Sequence, residues 1–273
     1  MADNTHHGEL IDVLRELYTL LSRLGAIPFE MIQLPDPTTG VHPEGSINTE
    51  AADAAGYAPE TIRLMTMLPY LAVDHRHEMF FELLPSTFPI TYIGADLDEG
   101  HFRDRRELLN DAEMPPSAMR LTRSEIYGTE FIYDTATKLM VAWKPIDNPD
   151  EADDYSHVAG ASPREVLSPV IEDYRRLKYL ATPRGFDFSP AQYADSGGTP
   201  PRGWSADEQR RWKASYAVWE ATQKLRDFYL EYGWDVGGDV EQRDFRFNEF
   251  LAKREVYVRD VLGPLILAEE EAT

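Results

Sequence analysis

LTRSEIYGTEFIYDTATKLMVAWKPI, residues 121–146, is the one stretch of this chain that reads plainly as a β-hairpin. Before and into the turn DTATK, Glu130 and Asp134 alternate with Phe131 and Tyr133 as a strand with one face buried requires, and the apolar run LMVAW follows the turn. Thr129, Phe131 and Tyr133 share a face of a first strand over 129–134; Leu139, Val141 and Trp143 share a face of a second over 139–145. Glu130 and Asp134 alternate with those rings and are expected on the solvated face. Asp134 opens the turn, where its carboxylate can accept a backbone N–H ahead of it. Upstream, MFFELLP (79–85) and ITYIGA (90–95) read as two more strands. The middle of the chain is therefore expected to hold a small antiparallel or mixed sheet over residues 79–145.

Helices bracket that sheet. Leu10, Val13, Leu14, Leu17, Leu20, Leu21 and Leu24 recur at helical spacing, and Gly25 is placed to stop the helix. Asn48 or Thr49 can cap a short helix ending at Gly56, and Pro59 fits the first turn of another that ends at Pro69. Residues 101–111 suggest a short surface helix. Ser162 and Glu165 form a capping-box pattern, and Pro169 is expected to kink or restart the helix behind it. Ser205 and Glu208 open a long helix that Gly233 stops; a last helix is expected over 240–262, closed by Gly263-Pro264. Residues 181–204, rich in Pro and Gly, read as a flexible loop. The fold class expected is α+β, with the sheet packed by N- and C-terminal helices. One domain over 1–273 is expected, the alternative being an α+β domain over 1–146 with a helical extension over 162–267.

Charge and composition narrow the partners. The chain has 273 residues, 27 Lys and Arg against 48 Asp and Glu, a formal charge of −21 and no cysteine. A surface this acidic repels phosphate backbones and anionic lipid, so neither nucleic acid nor membrane is expected as a partner; a basic protein is. Without cysteine there are no disulfides, thiolate metal sites or cysteine nucleophiles. The N-terminal MADNTHHGEL lacks the pattern of a signal peptide, and no run is long and apolar enough to span a bilayer. A cytoplasmic or nuclear protein, not a secreted one, is expected.

Three places invite chemistry. His75 and His77 alternate as on a strand face, and with Glu82 they could hold a divalent metal. Their HxHxxxxE spacing resembles the first cupin motif, which implies a metal, but Pro69 and Pro89 stand where that motif has glycines and no second motif follows. Asp96, Asp98 and Glu107 fall at the first, third and twelfth places of an EF-hand-like loop, with Gly100 and His101 at the fifth and sixth where a ligand and the turn glycine belong. Trp212, Tyr216 and Trp219 lie on one stripe of the long helix, behind Arg210 and Arg211. Such a stripe can pack a core or form an aromatic groove for a ligand or partner, and the helix start beside two arginines can hold an anion. No phosphate-binding loop, nucleophile elbow or HExxH motif is present.

INTEAADAAGY, TIRLMTMLPYL, LTRSEIYGTEFIYDTATKLMVAW, WEATQKLRDFYLEYGWDV and FLAKREVYVRDVLGPL together resemble a group of uncharacterised filamentous-fungal proteins, a resemblance that implies no activity. The leucine-rich start, the LPxxF-like turn from Leu84 to Phe88 and the strand ending in Asp134 more distantly resemble the Smi/Knr-like SUKH superfamily, with Thr137-Lys138 in place of the hairpin glycine. That likeness implies an α+β protein-binding domain with no catalytic set. The expected function is a non-catalytic interaction or regulatory protein with an acidic surface and no cofactor. The alternative is a small-molecule-binding protein or enzyme with a pocket between sheet and aromatic helix, with or without a metal at His75, His77 and Glu82.

Overall fold

The computed structural model describes residues 7–72, 81–108, 113–125, 127–145, 155–182, 185–187, 198–239 and 241–272. It is an α+β protein whose strands form several small antiparallel sheets. The chain divides into two compact units, one of Met1–Thr19 and Ile27–Glu172, the other of Leu20–Ala26 and Asp173–Thr273.

α1 (Gly8–Arg23) belongs to the first unit as far as Thr19; in that unit a short pair joins β1 (Ile32–Gln33) to β2 (Tyr70–Leu71), and between these strands lie α2 (Thr49–Ala54) and α3 (Pro59–Met65). Asn48 caps α2 by accepting from the Ala51 N–H, and Pro59 sits in the first turn of α3. A second pair joins β3 (Thr87–Pro89) to β5 (Thr122–Ser124), and α4 (Glu99–Asp104) lies between them in sequence. The three-stranded sheet has β6 (Glu130–Asp134) at its centre, between β4 (Ala118–Arg120) and β7 (Leu139–Trp143). β6 and β7 are the expected hairpin, in the register Glu130 to Trp143 and Asp134 to Leu139. Its turn works as the sequence suggests: Asp134 Oδ1 accepts from the Ala136 N–H at 2.8 Å, and Lys138 takes the left-handed conformation usually left to glycine (φ 61°).

Several expectations are corrected. β6 is buried on both faces: Glu130 and Ile132 are covered as fully as Phe131 and Tyr133. In β7 burial does not follow the faces cleanly: Leu139 is 42% exposed while Trp143 on the same face is sealed, and Met140 is sealed while Ala142 beside it on the other face is exposed. Beside β6, the other edge of β7 is paired at one point, Met140 exchanging backbone hydrogen bonds with Ala161. The strand expected over 90–95 is instead Thr87–Pro89, because the Ile93 N–H turns to Thr91 Oγ1 at 3.1 Å and leaves the ladder. Of 79–85, residues 79 and 80 lie outside the described residues, and the rest carry only a bridge between Leu84 and Thr87. The short surface helix is α4, earlier than expected, because Asp98 caps it in a box with His101. Asp98 is therefore spent as a helix cap, not presented as a calcium ligand.

Gly128, in the loop before β6, is required by packing: a Cβ there would lie 1.9 Å from the Ser86 carbonyl oxygen.

α5 (Pro163–Arg175) runs unbroken through Pro169, opened by the Ser162–Glu165 box. The second unit then has β8 (Leu180–Thr182) and β9 (Gly185–Asp187) as a hairpin, inside the segment expected as loop. α6 (Ala206–Glu231) starts at the expected Ser205–Glu208 box and stops before Gly233 (φ 93°). The last helix begins at Phe247 and does not end at Gly263-Pro264. α7 (Phe247–Tyr257) passes through a π turn (Val258–Leu262) into α8 (Gly263–Ala272). Pro264 has no N–H for the carbonyl four residues back; the wider turn absorbs this, with the Gly263 N–H reaching Val258 O. Tyr229, Trp234, Phe245 and Phe250 form the aromatic core of this unit, and the Tyr229 hydroxyl donates to Leu24 O at 2.5 Å.

Candidate functional site

α6 has two distinct halves. From Ala221 onward it buries Ala221, Thr222, Leu225, Phe228 and Tyr229 in the second unit. From Ala206 to Glu220 no residue is fully buried. On that first half the spacing i, i+4, i+7 brings the three expected rings together. Trp212 stacks on Tyr216 at 5.2 Å between centroids and 14° between planes; Tyr216 meets Trp219 at 5.5 Å. All three rings are half-buried, with Gly198 close against the Tyr216 ring. Rings so arranged offer a broad, rigid contact surface at small cost in side-chain freedom.

The two arginines at the helix start are exposed. Arg210 pairs with Asp207 at 3.2 Å, and Arg211 lies near enough to help hold the Glu208 carboxyl below its ordinary range, after the hydrogen bonds from Ser205. The Glu208 carboxylate accepts from both the Ser205 N–H and hydroxyl at 2.7 Å, so the anion beside this helix start is the protein's own.

His75 and His77 lie outside the described residues. Glu82, the third member of that set, accepts from the Ser86 N–H at 3.3 Å. Among the described residues no group of three His, Asp or Glu side chains could hold a metal ion.

In the first unit the structure assembles a polar chain that the sequence did not reveal. His7 Nδ1 lies 2.8 Å from the Tyr133 hydroxyl and Nε2 lies 3.0 Å from Glu60 Oε1. The arrangement that satisfies all three groups with a neutral ring has Tyr133 donating to Nδ1 and Nε2 donating to Glu60. Burial opposes the charge on Glu60, but hydrogen bonds from Arg63 and His7 outweigh it and hold the carboxyl below its ordinary range. An acid, an imidazole and a hydroxyl in series can share a proton. Here the hydroxyl end is sealed: Tyr133 is 1% exposed, and burial pushes its phenol up to about 12. The chain is suited to anchoring α1 and α3 on the hairpin rather than to reaching a substrate. Partners 53 and 126 residues away from His7 leave no local pattern that could have announced it.

Glu130 is the second residue of this kind. Its Oε2 lies 3.1 Å from Arg120 Nε, both side chains being almost wholly buried, and its Oε1 accepts from Ser124 Oγ at 3.2 Å. Burial raises its carboxyl above the ordinary range, against the pull of Arg120.

A half-open pocket of about 280 Å³ lies in the first unit, lined by Val41, His42, Pro43, Glu44, Gly45, Ile47, Thr49 and Thr66. His42 is fixed in its wall by two hydrogen bonds: its backbone N–H donates to Thr66 O at 2.7 Å and its ring Nε2 to Leu68 O at 2.8 Å. A carbonyl can only accept, so the proton of the neutral ring is on Nε2.

No family model, no curated protein and no solved structure matches this chain.

Proposed function

We propose that this chain is a non-catalytic interaction protein that binds a basic protein partner, with the aromatic half of α6 as its contact surface. The observation that carries the reading is the Trp212–Tyr216–Trp219 ladder on the stretch of α6 that buries no residue fully. Tryptophan and tyrosine dominate binding energy where they can be covered by a partner. The net charge of −21 would steer a basic protein toward the molecule and speed encounter without supplying the contact itself. This is the mode of action that the resemblance to Smi/Knr-like proteins implies. A cysteine-free chain suits a reducing compartment, and we place the protein in the cytoplasm or nucleus.

The test is affinity capture from a lysate of the source organism with wild-type protein and a Trp212→Ala/Trp219→Ala variant. The expected result is a basic protein held by the wild type, released by salt, and lost from the variant while its helical circular dichroism is unchanged. Equal recovery by both proteins would exclude the ladder as the contact surface.

A further inference from the structure

The polar side chains that line the pocket around His42 are rich in hydrogen-bond acceptors. With Nε2 committed to Leu68 O, the remaining hydrogen-bonding atom of His42 is Nδ1. Burial, outweighing the Leu68 carbonyl, holds the ring below the ordinary histidine range, so near neutral pH it is uncharged and Nδ1 offers a lone pair. Thr66 commits its hydroxyl proton to Arg63 O at 2.8 Å, which leaves its oxygen as an acceptor. Glu44 adds an exposed carboxylate at the rim. Between these groups the lining is apolar, from Val41, Pro43 and Ile47. A volume of about 280 Å³ falls just under the ~300–1,000 Å³ usual for drug-sized ligands, so the occupant is small.

We propose that this pocket binds an alkylammonium group, its methylenes against Val41, Pro43 and Ile47 and its N–H donors toward His42 Nδ1, Thr66 Oγ1 and the Glu44 carboxylate. An ammonium ion has three donors and no acceptor, which suits a lining where His42 Nδ1, Thr66 Oγ1 and the Glu44 carboxylate can only accept and the Thr49 hydroxyl can accept as well as donate. Its charge is favoured by Glu44 and by the field of a molecule at −21. An alcohol would place one donor and gain nothing from charge, and a carboxylate would meet acceptors and repulsion. The group can come from a free amine or from a lysine side chain of a peptide. The inference rests on the first unit alone and stands whether or not α6 binds a protein.

The test is a titration of ¹⁵N-labelled protein at neutral pH with n-pentylammonium chloride, n-pentanol, sodium pentanoate and Nα-acetyl-lysine amide, followed in amide and histidine-ring spectra. Saturable shifts at residues 41–47 and at the His42 ring are expected with the two ammonium compounds. Affinity for n-pentylammonium should exceed that for n-pentanol about tenfold, and pentanoate should leave these signals in place. Tighter binding of acetyl-lysine amide than of n-pentylammonium points to a peptide lysine; the reverse points to a free amine. His42→Phe should abolish the shifts. Glu44→Gln, at an exposed position that does not threaten folding, should weaken n-pentylammonium about two- to fivefold, the value of a partly exposed ion pair. Equal affinity for ammonium and alcohol, shifts elsewhere only, or a Glu44→Gln protein that binds as the wild type does would overturn the proposal.

Discussion

Arg120 and Glu130 place one charge of each sign inside the first unit, and their surroundings set how they behave. Removing one partner of a buried pair leaves the other uncompensated, at a cost of about 3–5 kcal/mol; replacing both by apolar residues of similar size is often nearly neutral. Glu130→Ala is therefore expected to destabilise the protein by about 3 kcal/mol, and Arg120→Met/Glu130→Leu by clearly less than the two single changes summed, as read from urea unfolding. The pH dependence has a defined sign. The folded-state carboxyl of Glu130 titrates above its unfolded value, so its protonation favours the folded state. Its contribution is present in full below the unfolded value near 4.5 and is lost as pH rises through the folded one. The stability of wild type relative to Glu130→Gln should accordingly shift in favour of wild type as pH falls from 7 toward 4. His7 acts through geometry instead. His7→Ala strands the buried Tyr133 hydroxyl, worth about 1–3 kcal/mol. Adding Tyr133→Phe in that background should recover part of the loss; no recovery would mean that the His7–Tyr133 contact carries little energy.

At the scale of elements, α6 is one helix serving two purposes. Leu225 is sealed in the second unit, and Leu225→Ala should cost about 2–5 kcal/mol. Trp212→Ala and Trp219→Ala, on the half that buries no residue fully, should each cost clearly less than Leu225→Ala while removing partner binding. Thermal unfolding of the three variants side by side checks the contrast. The π turn between α7 and α8 is the second element-level feature. It sits where Pro264 interrupts the helix ladder, so Pro264→Ala should let the turn tighten, seen as slower hydrogen exchange at amides 258–264. Gly128 sets the path into β6: Gly128→Ala cannot be accommodated without moving the Ser86 backbone, and a loss of soluble folded protein is the expected outcome.

For the whole molecule, an excess of 21 negative charges opposes compaction. Raising sodium chloride from about 10 mM to about 300 mM screens that repulsion, and the thermal midpoint should rise. A midpoint that falls with salt would mean that surface ion pairs outweigh the net charge.

Much of the architecture was legible in the chain because it is encoded locally. The Asn48 cap, the Ser162–Glu165 and Ser205–Glu208 boxes, the Gly25 and Gly233 stops and the hairpin around Asp134 each depend on residues within a few positions of one another. The aromatic ladder belongs with them, since helical spacing alone aligns Trp212, Tyr216 and Trp219. What misled was burial from outside the element. Period-two alternation sets which side chains share a face of β6, but not whether the second face is also covered, so Glu130 reads as solvated when it is paired with Arg120 in the interior. Gly263-Pro264 reads as a stop because its sequence is that of one, while the π turn carries the helix past it. The His7–Glu60–Tyr133 chain and the acceptor-lined pocket at His42 join residues far apart in sequence or commit atoms to distant carbonyls. Caps, turns, helical stripes and charge follow from neighbours along the chain and can be read there; which polar groups are buried, and what they face, was settled by the folded arrangement, because desolvation and pairing depend on neighbours in space.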